Sequence, residues 1–163
     1  MSTVVPSTGL AALLEYPTAA FLTTLKDCLA SGASDSDVAR FAHGVEGLSL
    51  ERLQELYVDT FDLDPSCTLD LGWHLYGDTY ERGAFLARLR ADLRDAGIAE
   101  SQELPDHLPA IIALLDRLEP ARAAELRALV RPALERLHAA LDARGNPYAY
   151  LLNDVVAANA AGA

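Results

Sequence analysis

Four histidines, twenty-four carboxylates and two cysteines are the reactive groups of this 163-residue chain, and few of them stand at spacings that chemistry uses. The segment Glu103-Leu-Pro-Asp106-His107-Leu-Pro holds one imidazole and two carboxylates, with Asp106 and His107 between Pro105 and Pro109. Pro105 suits the first turn of a helix, where its missing N–H costs little. With Pro109 four positions on, either the helix begins at Pro109 or its first turn is irregular. Either way, polar side chains stand beside backbone N–H groups that have no helical partner. His107 with Asp106 or Glu103 has the make-up of a general base, but a helix-start histidine flanked by acids is more often a capping or packing residue. Asp70-x-x-x-His74 puts two candidate ligands on one helix face, in a stretch with poor periodicity. Glu135-x-x-His138 has the spacing of dinuclear carboxylate bundles, which need a second such pair and two further glutamates. Leu134 and Leu137 already take the inward face there, so Glu135 and His138 read as a solvated flank. There is no Gly-x-Ser-x-Gly elbow and no glycine-rich phosphate loop. Cys67 lies in a turn with no base beside it. The residues therefore assign no catalytic group, no metal ligand and no cofactor.

Binding is the stronger reading of the same region. Trp73, Tyr76 and Tyr80 crowd a turn-rich segment among Gly, Asp and His, where binding residues concentrate. Tyr57 and Phe61 lie one helix earlier, at a spacing that also suits a core face. Aromatic rings beside acids make a groove for an amphipathic basic helix, with apolar anchors and a charged rim. The candidate peptide-binding residues are Tyr57, Phe61, Asp70, Trp73, His74, Tyr76, Tyr80, Glu103, Asp106 and His107.

The run Tyr57-Val-Asp-Thr-Phe61-Asp62, then His74-Leu-Tyr-Gly-Asp-Thr-Tyr-Glu-Arg-Gly83, then the segment from Glu103 to Pro109, resembles the NarJ-type chaperones, or nitrate reductase delta subunits, of the TorD/DmsD/NarJ family. The likeness spans roughly residues 10 to 155. It matches a first motif at Tyr57, Phe61, His74, Gly77, Asp78, Arg82 and Gly83. A second is matched at Glu103, Leu104, Pro105, Asp106, His107 and Pro109. Two departures stand in the first: Trp73 where many such sequences have Glu, and Tyr80-Glu81 where they tend to have Arg-Asp. The resemblance implies an all-helical, non-catalytic chaperone. Its partner would be the apo catalytic subunit of a nitrate-reductase-like molybdenum oxidoreductase, bound at its N-terminal peptide while molybdopterin is inserted. Two other classes stay open: a small helical metalloenzyme using His74, His107 and nearby carboxylates, and a permanent helical scaffold subunit. Which molybdoenzyme is the client, and whether the chaperone touches the molybdenum cofactor itself, the residues leave open.

The elements that must position these residues are helical. At this length the chain makes one domain with room for a real core, and 51% hydrophobic residues exclude a disordered chain. No apolar run reaches the ~18 residues of a membrane span. The start, MSTVVPSTGL, has no signal-peptide pattern, so a cytoplasmic protein is expected, with Cys28 and Cys67 as reduced thiols. Net charge is −11: residues 1–80 carry three basic groups against twelve acids, and residues 81–163 carry ten against twelve. That speaks against nucleic acid and for a basic peptide partner.

In order, a loose tail is expected over 1–8 and a short helix over 9–15, ending before Tyr16-Pro17. Thr18 caps a helix with Phe21, Leu22, Leu25 and Leu29 inward. Ser34 or Asp35 starts the next, to about His43. Ser49 caps Leu50–Phe61, with Leu50, Leu53, Tyr57 and Phe61 on one face. After a turn at Asp64-Pro65-Ser66 come a short helical turn over 71–76 and a full helix over 78–96 with Phe85, Leu86, Leu89 and Leu93 inward. The face Leu108, Ile111, Ile112, Leu115 and Leu118 follows. A long helix then runs from Pro120, which Pro132 should kink or divide, and a last one over 148–158 precedes a fraying tail, 159–163. No segment alternates as a strand does. The expected fold is an all-α, single-domain bundle of about seven to eight helices spanning 1–163, a monomer in the first instance, with a helix-exchanged dimer as its variant.

Overall fold

The computed structural model describes residues 5–162. Nine α-helices and one 3-10 turn make up the described residues, one or two more helices than expected. In chain order they are α1 (Ser7–Leu13), α2 (Phe21–Ala30), α3 (Asp37–Gly44), α4 (Leu50–Phe61), the 3-10 turn Pro65–Cys67, α5 (Leu71–Tyr76), α6 (Tyr80–Asp95), α7 (Leu108–Leu115), α8 (Pro120–Ala143) and α9 (Tyr148–Ala161). Every one of the nine contributes to a single buried cluster, so the fold is an all-α bundle around one core. No described helix is long and apolar enough to cross a membrane.

Local signals set most helix starts. Ser49 accepts from the Arg52 N–H at 3.2 Å and opens α4; Thr79 accepts from the Arg82 N–H and opens α6. Two caps differ from expectation. Ser36, not Ser34 or Asp35, caps α3 through the Ala39 N–H. Thr18 instead accepts from the Ala20 N–H in the turn ahead of α2. The expected loose tails are also shorter: Val5 is buried, Ser7 and Thr8 belong to α1, and α9 continues to Ala161 with Asn159 buried. Residues 1–4 and 163 lie outside the described part. Pro132 does not divide α8, which runs unbroken for 24 residues. Its missing N–H removes only the bond to the Ala128 carbonyl, and Val130, Ala133, Leu134 and Leu137 go on packing on either side.

At the centre stands Tyr148, fully buried where α9 begins. Its ring lies 4.8 Å from Phe61, 5.1 Å from Phe41 and 6.3 Å from Tyr57, so the two α4 rings meet it edge to face and the α3 ring meets it tilted. Helix α4 is thereby pinned with its C-terminal half toward the middle of the bundle. Leu50 and Leu22, expected inward, sit on helix margins and are 37% and 50% exposed.

Candidate functional site

Asp106 is the residue around which the two sequence motifs close. It has no solvent-exposed surface. Its Oδ2 accepts from the Gly72 N–H of α5 at 3.0 Å and from Nε and Nη2 of Arg82 on α6, at 3.2 and 3.1 Å. Arg82 also lies 3.7 Å from Asp70, and Asp70 in turn accepts from Nδ1–H of His107 at 3.3 Å. Behind the side chains runs a short antiparallel bridge: Leu71 N–H donates to the Asp106 carbonyl, and Leu108 N–H to the Leu69 carbonyl. The loop before α7 is thus stitched to the start of α5 by both backbone and charge.

The local sequence explains why. Pro105 and Pro109 flank a His107 whose extended backbone (φ −62°, ψ 129°) is the N-cap of α7, and its carbonyl accepts from Ala110 and Ile111. The helix begins at Leu108, with Pro109 in its first turn. Gly72 is required because a Cβ there would come within 2.4 Å of the Asp106 carboxylate and 3.1 Å of Phe85. Burial pushes the Asp106 carboxyl up from the ordinary carboxylate range and Asp70 adds to this, while Arg82 and the Gly72 N–H pull it down.

The other candidates distribute differently. Tyr57 and Phe61, candidates for peptide contact at a spacing that also suits a core face, are core rings, 4% and 3% exposed, and each reaches a surface concavity only by an edge. Tyr57 donates to the Leu14 carbonyl, and burial raises its phenol pKa. Tyr76 packs edge-on against Phe85 at 5.6 Å. Tyr80 opens α6 almost wholly in solvent, at 97% exposed. No ring pairs with Trp73 or Tyr80 among the described residues, so the expected cluster of three rings does not form; Trp73 instead has the Arg82 guanidinium 6.0 Å from its centroid. The reason is helix geometry: Trp73 and Tyr76 lie on α5, which Gly77 (φ 64°) ends before α6 turns away. His74 donates from Nε2 to the Thr68 carbonyl at 2.7 Å, and its own carbonyl accepts from Arg136 of α8. Glu103 is exposed in the loop before α7.

Two concavities open beside the network. The larger, about 450 Å³, lies between the α1–α2 turn, α4, the end of α6 and the loop into α7, and His107, Glu103 and Tyr57 line it. The smaller, about 350 Å³, is open and acidic, with Asp62, Asp64, Asp70, Trp73 and Arg82 in its wall. Glu15 and Tyr16 of the larger cleft escaped the sequence reading, because only the fold brings the α1–α2 turn next to the loop before α7, where Leu104 is a motif match but not a site candidate. Gly72 escaped it too, although a glycine inside a helical segment was a usable signal. Among the described residues no three His, Cys, Asp or Glu side chains gather where they could hold a metal. Glu135 is exposed and pairs with Arg131 at 3.0 Å. The arrangement offers grooves with apolar floors and carboxylate rims, suited to holding a peptide.

Comparison with known proteins agrees with these motifs. A family model described as "Nitrate reductase delta subunit" matches residues 12–153. The nitrate reductase molybdenum cofactor assembly chaperone NarJ of Escherichia coli K12 is 30% identical over 150 residues, covering 86% of this chain and 64% of that protein. The probable nitrate reductase molybdenum cofactor assembly chaperone NarW of the same strain is 29% identical over 146 residues, covering 88% of the chain and 63% of NarW. The nitrate reductase-like protein NarX of Mycobacterium tuberculosis H37Rv is 29% identical over 141 residues, 85% of this chain and 22% of NarX. The chain thus spans just under two thirds of the length of the two chaperones.

Proposed function

We propose that this chain, which belongs to the nitrate reductase delta subunit family, works as a dedicated, non-catalytic chaperone for the apo catalytic subunit of a nitrate-reductase-like molybdenum oxidoreductase. It binds a segment of that subunit, in the first instance its N-terminal peptide, and releases it after molybdopterin is inserted. The observation that carries the reading is the match of nearly the whole chain to relatives named as molybdenum cofactor assembly chaperones. The geometry supports it: both motifs close on Asp106, and a groove lies on each side of the closure. Glu103 and His107 line the larger groove and Asp70 and Trp73 the smaller, and one of these two grooves is where we propose the client is held, with His74 and Tyr76 as support. The proposed setting is the cytoplasm, with which two buried free thiols, Cys28 and Cys67, agree. A monomer is the proposed working form.

The test is co-expression with a molybdenum oxidoreductase catalytic subunit encoded beside this chain. The chain should be retained by the cofactor-free subunit and lost from the loaded enzyme, and leaving it out should lower the enzyme's molybdenum content. Equal retention by loaded enzyme would mean a permanent subunit. Full molybdenum content without the chain would overturn the proposal. No observation favours the metalloenzyme reading.

A further inference from the structure

The larger cleft has a composition that names what enters it. Its floor is apolar, made by Tyr57, Leu93, Pro105 and Pro109, and its rim carries three carboxylates, Glu15, Glu100 and Glu103, against one cation, Arg90. Two apolar side chains in its wall stand in water: Tyr16 at 50% and Leu104 at 41% exposed. Tyr16 meets Tyr57 edge-on at 5.7 Å, so an exposed ring and a buried one form one continuous apolar wall. Arg90 reaches Glu100 at 3.6 Å, in a pair whose members are 47% and 75% exposed and so hold each other weakly. Glu15 and Glu103 have no cationic partner among the described residues.

We infer that this cleft is the client's docking site, taking one large apolar side chain of the client segment on its floor and a flanking Lys or Arg against Glu15 and Glu103. Arg90 holds Glu100 until a client cation competes for it. The inference rests on the chaperone reading above. Three things select this occupant. An acidic segment would meet three carboxylates. A second copy of this chain would bring a net charge of −11 against the same sign. A wholly apolar segment would leave the carboxylate rim without partners, whereas an apolar anchor with a basic flank satisfies floor and rim together.

The experiment uses two short labelled peptides read by anisotropy, one with a Leu/Phe stripe flanked by Lys and one with Glu in place of each Lys. Trp73 is the single tryptophan of the chain and lines the other cleft, so its emission reports occupancy there. The Lys peptide should bind, the Glu peptide at least about tenfold more weakly, and Trp73 emission should not move. Leu104→Asp should weaken the Lys peptide about tenfold and Glu103→Gln roughly threefold; Arg90→Gln should tighten it. Leu104 and Glu103 are exposed loop residues, so these variants keep the fold, as an unchanged thermal midpoint would verify. Binding that ignores Leu104→Asp and Glu103→Gln while shifting Trp73 emission moves the client to the smaller cleft; that overturns the inference and leaves the chaperone reading standing. Failure of both peptides also overturns it. The chaperone reading falls only if the whole apo catalytic subunit is not retained.

Discussion

At the scale of single residues, charge buried at a junction between elements dominates. Asp106 holds α5 and α6 to the loop before α7, and removing it leaves Arg82, with 16% of its side chain exposed, and the Gly72 N–H without their best partner. Stranding a buried cation costs more than the pair contributes. Asp106→Ala should therefore lower the unfolding free energy by about 2–4 kcal/mol, with Asp70 at 3.7 Å keeping the loss below the top of the usual range. Gly72→Ala should cost about 1–3 kcal/mol by pushing a methyl into the same carboxylate. Both are measured by denaturant unfolding. A second carboxylate gives a pH signature. Asp154 of α9 is pushed up to about 6, first by burial and then by Asp37 of α3. The folded chain holds that proton more tightly than the unfolded one. The stability it gives is complete below the ordinary carboxylate range, near about 3.9, and is lost as pH rises through about 6. Asp154→Asn should flatten unfolding midpoints across that window and gain about 1 kcal/mol at pH 7, partial solvation reducing the effect.

At the scale of elements, helices are held by inward faces that local spacing had already marked. Leu89 of α6 is fully buried and Leu134 of α8 is 2% exposed. Truncating either to Ala should destabilise by about 2–5 kcal/mol in thermal or denaturant unfolding, because the cavity collapses only in part. Pro132 sits on the exposed side of α8 in the middle of a helix that stays whole. Pro132→Ala restores one backbone bond and should stabilise the chain by about 1–3 kcal/mol. The absence of any gain would mean that the helix accommodates the ring without losing that bond's worth.

For the molecule as a whole, net charge sets how a partner arrives. A chain of −11 attracts a basic segment over distances that salt shortens, to about 10 Å at 0.1 M. Association with the Lys peptide should slow several-fold between low and physiological salt, while the dissociation rate, set by the apolar floor, changes less. Stopped-flow mixing separates the two rates. A salt-independent association rate would count against charge steering.

The sequence by itself determined the helical class, the cap at Ser49, the inward faces of α4, α6, α7 and α8, and the two segments that carry the family likeness, because each is written in spacings within one turn or one helix. It placed Asp70, Asp106 and His107 among the candidates but could not say what they touch. Only the tertiary structure decided that Asp106 turns inward onto Gly72 and Arg82 rather than outward to a client, that Tyr57 and Phe61 belong to the ring cluster around Tyr148, and that Tyr80 stands alone. It alone brought Glu15 and Tyr16 to the same cleft as Glu103 and Leu104, nearly ninety positions away. Local spacing fixes which side of a helix a residue takes. Which helix faces it across the core depends on how nine short elements share one buried volume, and no window of sequence contains that information.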